Sequence, residues 1–182
     1  MRALLIGGAA IVAIVASLAA CGGSSSGSAE QAQMQQQSDL YQIDQIERTW
    51  HKAASTHNLD LMMSLWATNA TFTINGSTYT GSGEIRKFFQ GAAPFQPQNH
   101  WVSDTPAYKI RTTVSGDKGT LYFECHYVDT KTKKVVSTVA ADQNVQKIGG
   151  RWLITSSALS HDCCALTATG SRAPTSRSRR SC

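Results

Sequence analysis

Residues 65–76 read LWATNATFTING, and they mark the point where the chain changes from helical to strand patterning. Ahead of them, apolar residues recur every three or four positions, which is the spacing of one helix face. Within them, residues 71–74 alternate polar and apolar side chains, which is the period of a strand. Asn75-Gly76 is typical of a tight hairpin turn, so residues 77–80 should return antiparallel. The chain therefore places helices first and a sheet afterwards.

Three helices surround this stretch. The apolar spacing predicts an amphipathic helix from Asp39 to about Thr56, capped by Ser38 or Asp39, and a shorter helix over residues 59–66. A third helix over residues 84–90 can be capped by Ser82 and ends near a glycine.

The second half of the chain has strand composition, interrupted by turns rich in glycine, aspartate and lysine. The predicted strands cover residues 109–114, 120–128, 135–148 and 152–157. Consecutive strands joined by short turns form an antiparallel meander. With the helices gathered ahead of it, this meander predicts an α+β fold.

The amino terminus carries a different signal, an apolar run over residues 3–20 behind the single charge of Arg2. Such a run is long enough to span a membrane. It ends in Leu18-Ala19-Ala20-Cys21, which resembles the lipobox of bacterial lipoproteins. The resemblance implies a lipoprotein signal peptide over residues 1–20 and lipidation of Cys21 by acyl chains such as palmitate. It also implies a location on the extracytoplasmic side of the cell membrane.

Composition divides the rest of the chain into three parts. Residues 21–37 are rich in Gly, Ser and Gln and cannot build a core, so we expect a flexible tether there. Residues 38–162 form the domain. Residues 163–182 bear cysteine and arginine without hydrophobic periodicity, and we expect a disordered tail.

The net charge of +5 does not indicate nucleic-acid binding. Residues 38–162 hold twelve Lys and Arg against eleven Asp and Glu, and four of the remaining arginines lie in the last eleven residues. A protein that binds nucleic acid needs a basic patch on the surface of its folded domain, which a nearly neutral domain does not supply.

The order of elements and several local motifs resemble SnoaL-like domains, within the nuclear transport factor two-like superfamily. The motifs are the run from Trp50 to Thr73, the segment Tyr79-Thr80-Gly81, and Lys147 to Ile154 as a closing hairpin. The likeness covers Asp39 to about Leu159. It implies a cone-shaped, curved antiparallel sheet wrapped over the N-terminal helices, as in a cystatin-like roll. In enzymes such as scytalone dehydratase, ketosteroid isomerase and the SnoaL cyclase, the mouth of this cone holds a pocket.

The resemblance also supplies candidate catalytic residues. In dehydratase-like members, one histidine opens the strand after the third helix and another lies in the following strand, and His100 and His126 match these positions. Two imidazoles can move protons near neutral pH because their ordinary pKa is about 6.5. An enzyme would need a carboxylate within about 3 Å of this pair, and Glu124 is the candidate.

Other positions argue against catalysis. Relatives usually place a carboxylate near the end of the first helix, and Ser55 occupies that position here. On the penultimate strand, the inward polar positions fall on Ala141 and Gln143, with Asp142 pointing the other way. We therefore expect a non-catalytic domain. The alternative is a dehydratase or isomerase that acts on a polyketide-like or steroid-like substrate through the two histidines.

The aromatic residues around the expected pocket suit a small apolar ligand. The candidate ligand-binding residues are Trp50, Tyr79, Phe88, His100, Tyr122 and His126. The domain is expected to bind such a molecule or to dock an envelope protein. No cofactor is expected. No metal is expected either, because His51 and His57, six residues apart, do not share one helix face.

The strand over residues 120–128 has two faces that compete for the inside of the sheet. One face holds Tyr122, Glu124, His126 and Val128, and the other holds Leu121, Phe123, Cys125 and Tyr127. Burial favours turning the second, more apolar face inward. The resemblance instead turns the first face into the pocket, and we follow it. This choice predicts an exposed apolar patch on the convex side, and hence a homodimer or partner interface.

Four cysteines remain besides Cys21, and their pairing stays open. One of Cys163 and Cys164 can pair with Cys182 or with Cys125. Cys125 is equally well explained as a small buried apolar residue.

Overall fold

The computed structural model describes residues 24–162. Its helices are α1 Ser24–Ser55, α2 Leu59–Met63 and α3 Gly81–Gly91, and a 3₁₀ turn covers Ala93–Phe95. Its strands are β1 Trp66–Ile74, β2 Ser77–Thr80, β3 Trp101–Ser103, β4 Lys109–Ser115, β5 Lys118–Asp129, β6 Lys134–Ile148 and β7 Arg151–Asp162. The predictions on the signal peptide, the lipidation of Cys21, the tail and its cysteines lie outside the described residues.

The strands form a seven-stranded sheet in the order β2-β1-β7-β6-β5-β3, and β4 also pairs with β5. All of these pairs are antiparallel except β1 with β7. One edge of β5 is shared, because β4 pairs with residues 118–124 and β3 with residues 127–129. Helices followed by a curved, unclosed sheet confirm the predicted α+β fold.

The core lies between α1 and the inner face of the sheet. Every three or four residues α1 buries an apolar side chain, as its sequence spacing predicts. These are Ile43, Ile46, Trp50, Ala53 and Ala54. Within residues 24–162, no helix is long and apolar enough to cross a membrane.

Helix α1 begins at Ser24, so the prediction of a flexible tether is wrong over residues 24–37. This segment holds five Gln, two Ala, one Glu and one Met, which are good helix formers, and an established helix propagates at little cost. The polar composition keeps this segment out of the core, and residues 27–38 are all exposed, but it does not prevent a helix from forming.

Strand β1 begins five residues earlier than predicted. The helical spacing predicts a helix as far as Trp66, but α2 ends at Met63 because Trp66 already pairs with Ile154 of β7. A register shift separates this pair from the regular pairing that starts at Thr71.

Asp39 does not cap α1 but joins it to the closing hairpin of β6 and β7. Its carboxylate accepts hydrogen bonds from Trp152 Nε1 at 2.9 Å, Lys147 Nζ at 2.7 Å and Gln35 Nε2 at 3.1 Å. Burial would raise the pKa of this carboxyl, but the hydrogen bonds from Lys147, Trp152 and Gln35 outweigh it and hold the pKa below its ordinary value. The ionised form therefore stabilises the fold.

We expect Asp39→Ala to lower the free energy of unfolding by about 2 kcal/mol at neutral pH, since it removes hydrogen bonds to a charged group. Because the folded pKa is depressed, this contribution is present above the unfolded value near 3.8 and is lost as pH falls through the folded pKa. Urea denaturation at pH 7 and at about pH 3 measures both effects. Asp44→Ala is the control, since its exposed pair with Arg48 is worth less than about 0.5 kcal/mol. Equal losses from the two variants would contradict this role of Asp39.

Candidate functional site

A cavity of about 400 Å³ opens between α1, α3, the 3₁₀ turn and the inner face of the sheet. This volume lies in the range of small-molecule sites. Its wall is mainly apolar: six of its sixteen lining residues are aromatic, eight are other apolar residues, and Asn75 and Ser137 are polar. The aromatic residues are Trp50, Phe88, Phe89, Phe95, Trp101 and Tyr127.

The aromatic wall is held in place by contacts between rings. Trp50 of α1 lies edge-on to Phe89 of α3 at 5.5 Å between centroids and to Phe123 of β5 at 5.9 Å. Trp101 of β3 and Tyr127 of β5 lie 6.3 Å apart. Since Trp50 and Phe89 are almost fully buried, this part of the wall is formed by the core itself.

The segment between α3 and β3 forms another side of the cavity. Its residues 92–95 all line it. The imidazole of His57, a residue with a left-handed φ of 55°, donates from Nδ1 to the carbonyl of Pro94 at 2.5 Å. This bond connects the end of α1 to the 92–95 segment.

We expect His57→Leu to loosen the 92–95 segment, because it removes the donor to Pro94 while keeping a side chain of similar size. One hydrogen bond is worth about 0.5–1.5 kcal/mol, so amide exchange at Phe95 and Gln96 should quicken roughly twofold to tenfold. Hydrogen exchange followed by mass spectrometry measures this. The amides of β6 are the internal control. Unchanged exchange at residues 92–96 would show that other contacts hold the segment.

The structure corrects the predicted orientation of β5. Its buried face is the apolar one, Leu121, Phe123, Cys125 and Tyr127, and the face with Tyr122, Glu124 and His126 points away from the core. Packing four apolar side chains against α1 outweighs the arrangement inferred from the resemblance. The apolar convex patch expected from these residues is therefore not exposed, and the predicted homodimer loses the surface on which it was based.

The outward face of β5 carries a polar network beside β4. His126 Nδ1 lies 3.1 Å from Asp104 Oδ2, and its ring stacks on Tyr108 at 4.5 Å. Tyr108 donates to Glu124 at 2.8 Å, and Lys109 forms an ion pair with Glu124 at 2.7 Å. A carboxylate thus lies beside His126, as an enzyme would need, but it is Asp104 and it lies away from the cavity.

Glu124 is a structural acceptor on this face. Hydrogen bonds from Lys109, Tyr122 and Tyr108 lower the pKa of its carboxyl to about 2. The hydrogen bond to the carboxylate in turn raises the pKa of Tyr108 to about 12. A carboxylate held ionised by three donors is a poor proton donor or acceptor near neutral pH.

The six predicted ligand-binding residues have different places in the structure. Trp50 and Phe88 line the cavity. Tyr79 packs against Phe88 at 4.9 Å without lining the cavity, and Tyr122 lies on the outward face of β5 with His126.

His100 lies just ahead of β3, and its carbonyl accepts the N–H of Thr130. Neither of the two candidate catalytic histidines lines the cavity. On β6, Ala141 and Gln143 are buried and Asp142 is exposed, as predicted. Ser55, at the position of the missing carboxylate, accepts the N–H of Ser103 at 2.9 Å.

A buried polar pair within α1 was not predicted from the sequence. Glu47 and His51 of α1 are fully buried, with His51 Nδ1 2.6 Å from Glu47 Oε1 in an approach too bent for a regular hydrogen bond. Glu47 Oε1 also accepts the N–H of Ala107 at 2.7 Å. The spacing of four residues between an acid and a histidine was the available signal.

Cys125 lies near this group as a fully buried thiol. Burial raises the pKa of the thiol to about 12, so it is unreactive at physiological pH. This agrees with a small buried apolar residue, while its pairing with the cysteines of the tail is untested.

Comparison with known proteins gives the family. The model of the SnoaL-like domain family matches residues 35–158. A comparison with curated proteins found no match.

Several solved structures share the fold. A protein from Novosphingobium aromaticivorans, described as NTF2-like with a cystatin-like fold, aligns with a TM-score of 0.62 at 14% identity, covering 78% of this chain and 92% of that chain. A protein of unknown function with a cystatin-like fold from Nostoc punctiforme aligns with a TM-score of 0.61 at 12% identity, covering 70% and 92%.

A candidate dehydratase of the NTF2-like family from Streptomyces avermitilis aligns with a TM-score of 0.56 at 14% identity, covering 68% of this chain and 95% of that chain. At these identities the structural likeness shows the fold alone. The match to residues 35–158 spans more than half of the chain. The chain therefore belongs to the SnoaL-like domain family.

Proposed function

We propose that this chain is a lipid-anchored, extracytoplasmic SnoaL-like protein that binds a small apolar ligand without catalysis. The observation that carries the binding role is the cavity of about 400 Å³ with its six aromatic side chains. An apolar molecule in such a cavity gains about 25 cal/mol for each Å² of apolar surface that leaves water. The anchor rests on the lipobox-like residues that end in Cys21.

The cavity wall favours binding over proton-transfer chemistry. Among the described residues that line it, none is a carboxylate or an imidazole. The two candidate groups for acid–base work lie elsewhere, since His126 and Asp104 are on the outward face of β5 and Glu47 and His51 do not line the cavity.

An enzyme is the second candidate, favoured by one observation, the carboxylate–imidazole pair of Asp104 and His126. Both side chains are partly exposed, at 27% and 36%, so a substrate on the outer face could reach them. That surface is polar, and it would suit a different substrate from the apolar one that the cavity accepts.

Native mass spectrometry of the protein extracted from its host membranes tests the proposal. We expect acylation of Cys21 and a retained apolar molecule of small mass. Recovery of unacylated protein from the cytoplasm would overturn the anchor. A stoichiometric envelope protein in place of a small molecule would overturn the ligand-binding role.

A further inference from the structure

The turn between β5 and β6 is strongly basic. Residues 129–134, here called the lysine turn, read DTKTKK, and residues 130–134 are all exposed. The carboxylate of Asp129 is used within the turn, because its Oδ1 accepts the N–H of Lys131 at 2.8 Å and the N–H of Thr132 at 2.9 Å. Among the described residues, none forms an ion pair with a lysine of this turn. Its positive charges are therefore available to a partner outside the domain.

The lysine turn lies beside the mouth of the cavity. The N–H of Thr130 donates to the carbonyl of His100 at 3.0 Å, and Asp129 pairs with Trp101 of β3. Trp101 lines the cavity, as does the start of β6 that follows the turn. A surface that meets the lysine turn therefore also meets the cavity wall.

The rim of the cavity at this end is uncharged. Asn75 and Ala93 line the cavity and are exposed, so the opening lies between them. Residues 91–99 beside it read GAAPFQPQN and hold no charged side chain. Within this segment Pro97 is exposed and Phe95 is half-buried. Apolar groups next to lysines are typical of surfaces that lie at the boundary between lipid headgroups and acyl chains.

The lysines favour a lipid surface over a protein partner. Lysine is depleted in protein–protein interfaces, where charged groups meet at fixed positions. Lipid headgroups move laterally and can follow side chains that no ion pair holds in place. Each lysine close to an anionic bilayer strengthens binding about fivefold, so three act together strongly.

The start of α1 does not cover this end of the domain. Asp39 of α1 contacts Lys147 and Trp152 at the β6–β7 hairpin, whereas Ser55 at the end of α1 contacts Ser103 of β3. The cavity mouth and the lysine turn therefore lie at the end of the domain away from the start of α1. An attachment ahead of α1 leaves them accessible.

We propose that the lysine turn and the uncharged rim beside it form a docking surface for an anionic phospholipid bilayer, with the mouth of the cavity against the headgroups. This surface goes beyond the proposed ligand binding, since it acts whether or not the cavity is filled.

Vesicle capture tests the docking surface. Full-length protein is held at low density on beads through an amino-terminal tag, and fluorescent vesicles are titrated against it. Phosphatidylcholine vesicles that contain about 30% phosphatidylglycerol should reach half-capture at a lipid concentration roughly 100-fold below that of pure phosphatidylcholine vesicles. Most of this difference should disappear in about 1 M NaCl, where the Debye length is about 3 Å.

Lys131→Gln combined with Lys133→Gln removes two charges of the turn while keeping side chains of similar length. We expect this variant to need roughly 25-fold more anionic lipid for half-capture, at about fivefold for each lysine. Thermal melts should be unchanged because both lysines are exposed.

The matched control is Lys118→Gln combined with Arg151→Gln. These exposed residues begin β5 and β7, at the end of the sheet opposite the lysine turn. The control removes the same net charge, yet it should change the half-capture concentration less than about threefold, because charges beyond a Debye length are screened.

Equal capture of neutral and anionic vesicles by the unchanged protein would overturn the proposal. Undiminished capture of anionic vesicles by the Lys131→Gln, Lys133→Gln variant would do the same, as would an equal loss in the control. Displacement of the vesicles by hexaglutamate at an equal concentration of negative charge would assign the turn to an acidic protein partner instead of lipid.

Discussion

Phe123→Ala is expected to lower the free energy of unfolding by about 3–5 kcal/mol, because it empties a fully buried site between α1 and β5. The ring touches Trp50 and His51, with centroids 5.9 and 5.3 Å away, and these rigid rings cannot collapse into the space. Domains of this size are commonly stable by only 5–15 kcal/mol. Urea denaturation followed by circular dichroism measures the loss.

Tyr122→Ala is the matched control on the opposite face of β5. Tyr122 is partly exposed, and it contacts the guanidinium of Arg111 and hydrogen-bonds to Glu124. Its removal should cost about 1 kcal/mol. A larger loss from Tyr122→Ala than from Phe123→Ala would support the orientation first inferred from the family resemblance.

Ala93→Trp is expected to weaken binding of an apolar probe such as 2-acetylnaphthalene on the order of 50-fold. Ala93 is exposed and lines the cavity, so an indole placed there can enter the space that a ligand needs. Excluding roughly 100 Å² of apolar contact at about 25 cal/mol per Å² corresponds to a loss of this size. Calorimetric titration measures the affinity.

The control for this variant is Gln98→Trp. Gln98 is exposed in the same connection between α3 and β3 but does not line the cavity. The Gln98→Trp variant should bind the probe with the affinity of the unchanged protein, and both variants should melt at nearly the same temperature. Full binding by Ala93→Trp would place the ligand outside this cavity.

Most of the fold could be predicted because local patterns and tertiary packing agree. The alternation over residues 71–74 and the Asn75-Gly76 turn appear in the structure as β1, the hairpin and β2. The predicted boundaries of helices and strands are wrong where the local sequence pattern and the tertiary packing favour different structures. Trp66 fits a helical spacing, but its pairing with Ile154 makes it the first residue of a strand.

The site could be predicted only in part. Trp50 and Phe88 were found because apolar spacing places them on the inner faces of their helices. Tyr127 was assigned to the outside because the family resemblance was given more weight than the alternation of β5. Because side chains alternate along a strand, assigning one residue to a face fixes the faces of its neighbours. This error therefore placed four residues of β5 on the wrong face. The Glu47–His51 pair was missed because His51 was compared only with His57, six residues away, as a metal ligand, and not with Glu47, four residues away.

The exposed start of α1 changes how the domain could be presented to its surroundings. Residues 27–38 form about 18 Å of continuous helix at about 1.5 Å per residue, joined without a break to the part of α1 that packs in the core. A coil of this length would set only a maximum distance between the domain and an attachment point ahead of it. A rigid rod also transmits direction, so a chain held through its amino-terminal side would restrict the angles at which the cavity meets an incoming molecule.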